Sequence, residues 1–538
     1  MNNYQKSNNY DYIIIGSGFG GSVSALRLAE KGYSVLVIEK GKRYQPRDFP
    51  KTNWNLRKYL WLPSLFLYGI QKITFLRDVL VLHGAGVGGG SLVYANTHLS
   101  PPDTIYEDTR WTDSNWKSRI EPFFAIARKM LGTVTVKHIA ESDKLLQKLD
   151  TETNNKSTFY SVDAGVFFGE SDVTVPDPYF DGKGPDRAGC NYCGNCMVGC
   201  RFNAKNTLDR NYLYLAEKLG VEILPETEVT DILPKKNGGY IIKTRKSTGI
   251  LHRQKDFSCN NVVMAAGVLG TVKLLMSCLQ RGSLSKLSNC LGHYVRTNSE
   301  AIVGARSSRT FKKNLNRGIA ISSGYYPEKD THIEAVRFGK GNGALSFLTT
   351  IMVSRHGNIP QVLKLLFAFL KHPFKVLRTL NPIGWSSSSI ILLVMQPKSN
   401  FMKLNFKRRW WRLGKHTINS SLSSKENIPS SIPAGDAAAK SLAGLTDGTP
   451  MTTVTDTLFN IPTTAHILGG CIMGKDEKTG VVNSQGEVFN YPGMYITDGS
   501  IIPVNLGVNP SLTITAMAEY VMSQIEEKEV TSTPLSDL

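Results

Sequence analysis

The chain has 538 residues, 41% of them hydrophobic and 20% charged, and carries a formal net charge of +19. That length and mixture exclude a disordered or fibrous chain and predict a folded protein of two domains. The basic excess comes with neither zinc-finger spacing nor an RNA-binding signature, which sets nucleic acid aside and leaves a solvated basic face or attraction to anionic membrane.

The first nine residues are polar, and no basic n-region or small-residue cleavage site accompanies the apolar run that follows them, so no signal peptide is expected. Residues 10–15 read as a buried strand, followed by Gly16-Ser17-Gly18-Phe19-Gly20-Gly21, a helical stretch over 22–31, a break at Gly32, and a second strand closed by Glu39. In this strand–turn–helix–strand order Gly16 permits the tight turn. Gly18 lets backbone approach a pyrophosphate, and Gly21 allows close helix–strand packing. The pyrophosphate would rest on the helix N-terminus, and Glu39 would accept hydrogen bonds from ribose hydroxyls, which argues against a 2′-phosphate. The motif alone does not separate FAD from NAD.

Residues 59–76 are apolar, but no uninterrupted run in the chain reaches bilayer-spanning length. Residues 82–96, LHGAGVGGGSLVYAN, form a second glycine-dense segment. Gly86, Gly88, Gly89 and Gly90 would let backbone lie against a flat ligand, with Ser91 and Asn96 as hydrogen-bonding groups; a tight core turn is the alternative. Cys190, Cys193, Cys196 and Cys200 follow in CxxCxxCxxxC spacing, with Arg201 where ferredoxins carry proline. Iron–sulfur, zinc and no metal are all open for them, the last favoured; the pattern is not a secreted disulfide framework. Residues 260–275 read as strand, small-residue turn and helix, a nucleotide-domain strand returning late enough to imply an inserted second domain. Residues 359–380 place lysines beside a broad apolar face at helical period, which suits either a membrane surface or packing on the core. A compact basic cluster covers 403–416.

Two C-terminal segments have the look of an active centre. Residues 463–474 offer His466 beside paired glycines, and a neutral imidazole is suited to take an alcohol proton. Residues 490–525 read as a short strand, an Asp498-Gly499 turn, an Asn509-Pro510 loop and a helix whose first N–H groups could face a cofactor. Asn509, both donor and acceptor, could hold a substrate oxygen or sit over a flavin edge. A packing histidine and a turn asparagine are the bland readings.

Residues 16–39, GVGGGSLVYAN, AAGVLGT, LGHYVRTNSE, HILGG and YITDGSIIPVNLGVNPSLTITAMAE together resemble, nearly end to end, the glucose–methanol–choline (GMC) oxidoreductase family and, within it, the cholesterol oxidase branch. The resemblance implies an α/β fold: a doubly wound Rossmann-like FAD domain, discontinuous in sequence, with an α+β substrate domain built on a large sheet. The expected FAD domain takes 1–50, 78–110, 215–300 and 460–525; the substrate domain takes 51–77, 111–214 and 301–459; 526–538 is a flexible tail. His466 then resembles the histidine that orients or deprotonates the hydroxyl, and Asn509 the asparagine that meets flavin and substrate. Glu334 resembles the carboxylate that isomerises the sterol double bond. Asp498 and Gly499 resemble the pair that holds the FAD pyrophosphate and ribitol, and Gly20, Val229, Ala266, Gly267 and Pro510 join the cofactor contacts. Tyr94 departs from a frequent asparagine and Ile467 from a frequent proline.

No flavin-attachment histidine follows the glycine segment in the family's way, so FAD is expected to be non-covalent. The implied activity is oxidation of the 3β-hydroxyl of cholesterol or a related sterol with O2 as acceptor, followed by 5-ene to 4-ene isomerisation. The alternatives are a dehydrogenase or oxidase of another alcohol using a quinone or protein acceptor, and an inactive flavoprotein on a lipid surface. The expected location is cytoplasmic or peripheral on a membrane, with export by another route left open.

Overall fold

The structure, a computed structural model, describes residues 9–355, 357, 359–408, 416–424 and 428–529. The polar lead-in over 1–8, residues 409–415 of the basic cluster and residues 530–538 of the tail lie outside the described residues.

Two seven-stranded sheets organise the chain. At the centre of the first, Asn9–Ile15 runs parallel to Val35–Ile38 on one side and to Gln254–Met264 on the other. Glu222–Leu224 extends the parallel set beyond Val35–Ile38, and Met494–Ile496 lies parallel to the last residues of Gln254–Met264. The early part of that long strand instead pairs antiparallel with Tyr240–Lys246, which pairs with Thr227–Pro234. The central strands read as unbroken apolar runs because helices and loops cover both faces; Ile13, Ile14, Val37, Val262 and Val263 are fully buried. Three distant stretches of chain therefore build one nucleotide-type sheet, as the sequence predicts.

Helix Phe19–Glu30 lies against this sheet and against the C-terminal helix Ser511–Ser523. Gly20 makes the first contact possible: a Cβ there would stand 2.1 Å from the carbonyl oxygen of Thr497. Helix Trp116–Met130, which falls in the stretch expected with the substrate part, packs on Ser511–Ser523 and contributes Trp116, Ile120 and Phe124 to the core of the nucleotide sheet. Its apolar face has the helical period but no feature that names which sheet it covers.

The second sheet is antiparallel throughout and runs in the order Thr349–Ile351, Thr449–Thr453, Ala301–Arg306, Ser389–Met395, Thr331–Val336, Ile321–Glu328, Tyr160–Ser161. Alternation divides its side chains. Val303, Ile333, Leu392 and Val394 join Leu146, Leu149, Ala439 and Leu442 of helices Glu141–Thr153 and Pro433–Leu445 in one core. Ile302, Val336, Ile391 and Leu393 face the other way and line a cavity against the nucleotide sheet.

A small ribbon completes the wall. Gln71–Phe75 pairs with Leu80–Gly84, and Thr463–Thr464 lies parallel to Leu80 and Val81, which delivers His466 to the cavity. The apolar segment after residue 359 folds as helices Gln361–Lys371 and Pro373–Leu380, broken at Pro373, where a ring replaces a backbone donor. Helix Gln361–Lys371 buries none of its residues. Among the described residues no helix is long and apolar enough to cross a membrane.

Candidate active site

One cavity of about 500 Å³ runs between the sheets, the size of a site that encloses a cofactor or a drug-sized molecule. At one end its wall is backbone and glycine: Gly16, Ser17, Gly18, Gly20, Glu39, Gly89, Gly90, Ala266, Gly267, Asp498 and Gly499 all face it. Three helices begin there, capped by Gly18, Gly267 and Pro510, so their unpaired N–H groups and positive dipole ends converge on the cavity. A Cβ on Gly18 or Gly267 would meet nothing within 4 Å, so room is kept at both turns for a ligand to approach backbone. Gly16 has φ +103 and a Cβ there would lie 2.3 Å from Ala265 O; only glycine fits that turn.

Glu39 is buried at the end of its strand. Its Oε2 accepts from the Ser17 amide and hydroxyl and its Oε1 from the Gly41 amide, which fixes the carboxylate on the cavity wall with lone pairs to spare. Asp498 caps the following 3-10 turn by accepting from Ser500 N at 2.9 Å and is also bonded to the Thr271 hydroxyl. Burial pushes its carboxyl above the usual range.

Other residues expected at the cofactor stand behind the wall. Gly21 abuts Gly16 O, and Gly88, with φ +103, precedes the 3-10 turn Gly89–Leu92. Ser91 is buried, donating to Gly88 O and accepting from Leu208 N. Asn96 is buried with φ +71 and is not on the wall. Val229 sits in strand Thr227–Pro234, paired with Thr244 and outside the lining, so the expected contact is not made from the cavity this structure encloses.

Elsewhere the wall is largely apolar side chain, with His466, Asn509 and Glu300 on it beside polar neighbours such as Gln71, His83, Thr349 and Thr455. Asn509 Nδ2 donates to Glu334 Oε2 at 3.1 Å. Glu334 projects from Thr331–Val336 but stands behind Asn509 and not on the wall itself. It is fully buried, and burial drives its carboxyl up to about 7 despite the Asn509 bond and nearby His466. Asn509 Oδ1 and Glu334 Oε1 are buried and without a hydrogen-bond partner, two acceptors that a bound group or water would satisfy.

Glu300 is the residue the sequence reading passes over. Its Oε2 lies 3.0 Å from His466 Nδ1 and also accepts from the Thr464 hydroxyl at 2.8 Å. The approach follows from a bridge between Arg296 and Leu468, which exchange N–H···O bonds of 2.8 and 3.0 Å and bring two remote loops alongside each other. Burial pulls the His466 imidazole down, but the Glu300 carboxylate and then Glu334 outweigh it and leave the ring above its ordinary value.

Cys190, Cys193, Cys196 and Cys200 are free thiols around a separate small cavity behind residues 92–96. Burial and neighbouring sulfurs push Cys193 up to about 12. Among the described residues no group of three or more His, Cys, Asp or Glu is arranged to hold a metal ion. Buried Lys205 ties this loop to the main wall, its ammonium donating to the carbonyls of Leu92, Tyr94 and Cys196. Tyr94 and Ile467, the two departures from the family pattern, both line the main cavity.

A doubly wound nucleotide sheet, three helix N-termini around a glycine-lined cleft and a histidine–asparagine pair beyond it define a dinucleotide-binding oxidoreductase. Residues 14–44 match an NAD(P)-binding Rossmann-like domain, and residues 183–282 and 420–518 match the GMC oxidoreductase description. The chain belongs to the GMC oxidoreductase family. It is 43% identical to a cholesterol oxidase of Acinetobacter baumannii, over 98% of this chain and 96% of that protein. It is 44% identical to a cholesterol oxidase of Mycobacterium tuberculosis (strain ATCC 25618 / H37Rv), over 96% and 90%. A long-chain-alcohol oxidase of Arabidopsis thaliana is 26% identical over 96% of this chain and 66% of its own. Among solved structures, pyridoxine 4-oxidase from Mesorbium loti superposes with a TM-score of 0.60 at 13% identity, over 96% and 99% of the two chains, a likeness of fold. Family membership and the Rossmann-type match make FAD the cofactor, and the open cradles at Gly18 and Gly267 and the converging helix N-termini fit it.

Proposed function

We propose that this enzyme oxidises the 3β-hydroxyl of cholesterol or a related sterol to the ketone with O2 as acceptor, and then moves the 5-ene into conjugation. The carrying observation is one cavity that joins a glycine-lined cofactor end to a largely apolar part and has His466 and Asn509 on its wall. An apolar wall of Ile302, Ile391, Leu393, Phe347 and Trp385 suits a fused hydrocarbon skeleton and not a sugar. The cholesterol oxidases that share 43–44% of its residues along nearly the whole chain support the same substrate.

Bound FAD supplies the hydride acceptor and, on reoxidation by dioxygen, the route to hydrogen peroxide. It would be held without a covalent bond by Gly16, Gly18, Gly20, Glu39, Gly267, Asp498 and the Asn509–Pro510 helix start. His466 takes the alcohol proton, having no protein hydrogen bond at Nε2 among the described residues. Asn509 orients the hydroxyl oxygen with the second N–H of its amide, the first being held on Glu334. Glu334, whose carboxyl burial raises to about 7 and whose Oε1 has no partner, would take a proton from C4 and return it at C6 once the Asn509 side chain, which stands between it and the cavity, turns aside.

We also assign the neighbourhood of the mouth to contact with a lipid surface. Phe347 and Leu348 are exposed where they line the cavity; helix Pro373–Leu380 packs beside them and helix Gln361–Lys371 packs on it, leaving Leu366, Phe367, Leu370, Phe374 and Leu377 exposed. Lys371 and Lys375, exposed in the same helices, suit anionic headgroups.

The test is the visible spectrum under anaerobic conditions, before and after detergent-dispersed cholesterol is added, followed by air. Bleaching with fast recovery in air is expected. Bleaching without recovery would replace the oxidase by a dehydrogenase with another acceptor. An unbleached spectrum would remove the sterol and leave the family.

A further inference from the structure

We propose that Glu300 is a positioning residue for His466: its carboxylate holds the imidazole with Nδ1 protonated and Nε2 turned to the cavity as the base, and stabilises the imidazolium formed when the alcohol proton arrives. The proposal rests on the reading of His466 as the proton acceptor.

Four observations carry it. Glu300 is 0% exposed, and a buried carboxylate is retained only where something compensates its charge. Among the described residues it has no Lys or Arg ion-pair partner, and the one ring nitrogen beside it is His466 Nδ1, 3.0 Å away, buried and with no other partner, so a small turn of the ring aligns its N–H on the carboxylate. Its hydrogen bonds come from the Thr464 hydroxyl and the Ala465 amide, the two residues that immediately precede His466, so carboxylate and ring are placed by the same turn. The His466 amide is in turn bound to Thr464 Oγ1 at 2.9 Å, and that hydroxyl also reaches Thr297 O, which locks the turn to the chain that carries Glu300.

The chemistry follows from the tautomer. A carboxylate can only accept at Nδ1, so the neutral ring must keep its proton there and present a lone pair at Nε2. When Nε2 becomes protonated the new charge lies beside a carboxylate already in place, so little has to reorganise. The charged groups that face His466 are Glu300 and Glu334. Glu334 stands behind Asn509, bonded to its amide, and burial raises its carboxyl to about 7, whereas Glu300 lies directly against the ring. The sign is that of a histidine raised by a partner: without Glu300 the ring loses its proton at lower pH and is a weaker base.

The experiment compares wild type, Glu300→Gln and Glu300→Asp. In the flavin-free protein, ¹⁵N-histidine NMR, with His466→Gln assigning the signal, should show the His466 titration about one to two units lower in Glu300→Gln and partly restored in Glu300→Asp. In the FAD-loaded protein, anaerobic flavin reduction by cholesterol should fall roughly 10- to 100-fold in Glu300→Gln, with its acidic limb moved to lower pH and flavin content unchanged. Added to His466→Ala, Glu300→Gln should cost nothing more. An unmoved His466 titration, or losses that multiply in the double variant, would overturn the proposal. A moved titration in a protein whose His466→Ala variant still reduces flavin at full rate would instead overturn the role of His466 and leave the pair intact. Should Glu300→Gln not fold, Glu300→Asp alone decides through the same titration.

Discussion

The two ends of the cavity are built by opposite means. At the cofactor end the contacts are backbone: Gly18 and Gly267 leave open space, helix starts aim N–H groups inward, and Glu39 is pinned by three donors from the first glycine turn and the residues after it. At the substrate end the contacts are side chains set on strands and turns from different parts of the chain, with Glu300, His466, Asn509 and Glu334 drawn together among apolar neighbours. A backbone site tolerates no added methyl where elements touch and constrains composition tightly. A side-chain site can be retuned residue by residue, but each member depends on its partners for its proton affinity.

Substitutions at the two ends should therefore fail in different ways. Gly20→Ala should have the largest effect, because its methyl would enter the Thr497 carbonyl; purified protein should hold no flavin, and normal flavin content would refute the close approach. Gly18→Ala is its control: with φ −74 and open space the protein should fold, with FAD held several-fold less tightly by titration. At the substrate end His466→Ala should keep its flavin while reduction by cholesterol slows roughly 10²–10⁴-fold, the scale of a positioned acid–base group.

Glu334→Gln should separate chemistry from stability. Oxidation should persist, and the product should remain the unconjugated ketone; a fully conjugated product would remove Glu334 from isomerisation. The folded carboxyl sits at about 7 against an ordinary value of 4.5. The proton it retains therefore favours the folded state below that ordinary value, and the advantage is lost as pH rises through about 7. Relative to Glu334→Gln, the wild-type apoprotein should weaken over that window by about 3 kcal/mol, seen as a widening gap in denaturant midpoints. A gap independent of pH would mean the carboxyl is solvated or paired. The smallest effect belongs at the mouth. Leu370→Asp with Phe374→Asp should slow turnover of vesicle cholesterol several-fold while leaving detergent-dispersed cholesterol nearly unaffected; equal loss in both would place the defect inside the fold.

The cofactor end was largely legible in the sequence because its signals are local. A strand, a glycine turn and a helix must follow each other within a few dozen residues, so Gly16 to Glu39 can be read without knowing what surrounds them. His466 and Asn509 stood out for a related reason, each lying in a short segment dense in glycine or turn residues. The helix over 361–371 was legible by its period, while its lack of any buried residue was not, since an apolar stripe reads the same whether a core or a membrane covers it.

By itself, the sequence determined the order of the nucleotide motif, the family and the identity of the principal chemical groups, all carried by neighbouring residues. Only the tertiary structure decided which groups meet. The Arg296–Leu468 bridge sets Glu300 against His466, strand alternation turns Glu334 toward Asn509, and Lys205 ties the cysteine loop to the cavity wall. Such pairings depend on register between segments far apart in the chain, and a register is fixed by packing that no single segment contains.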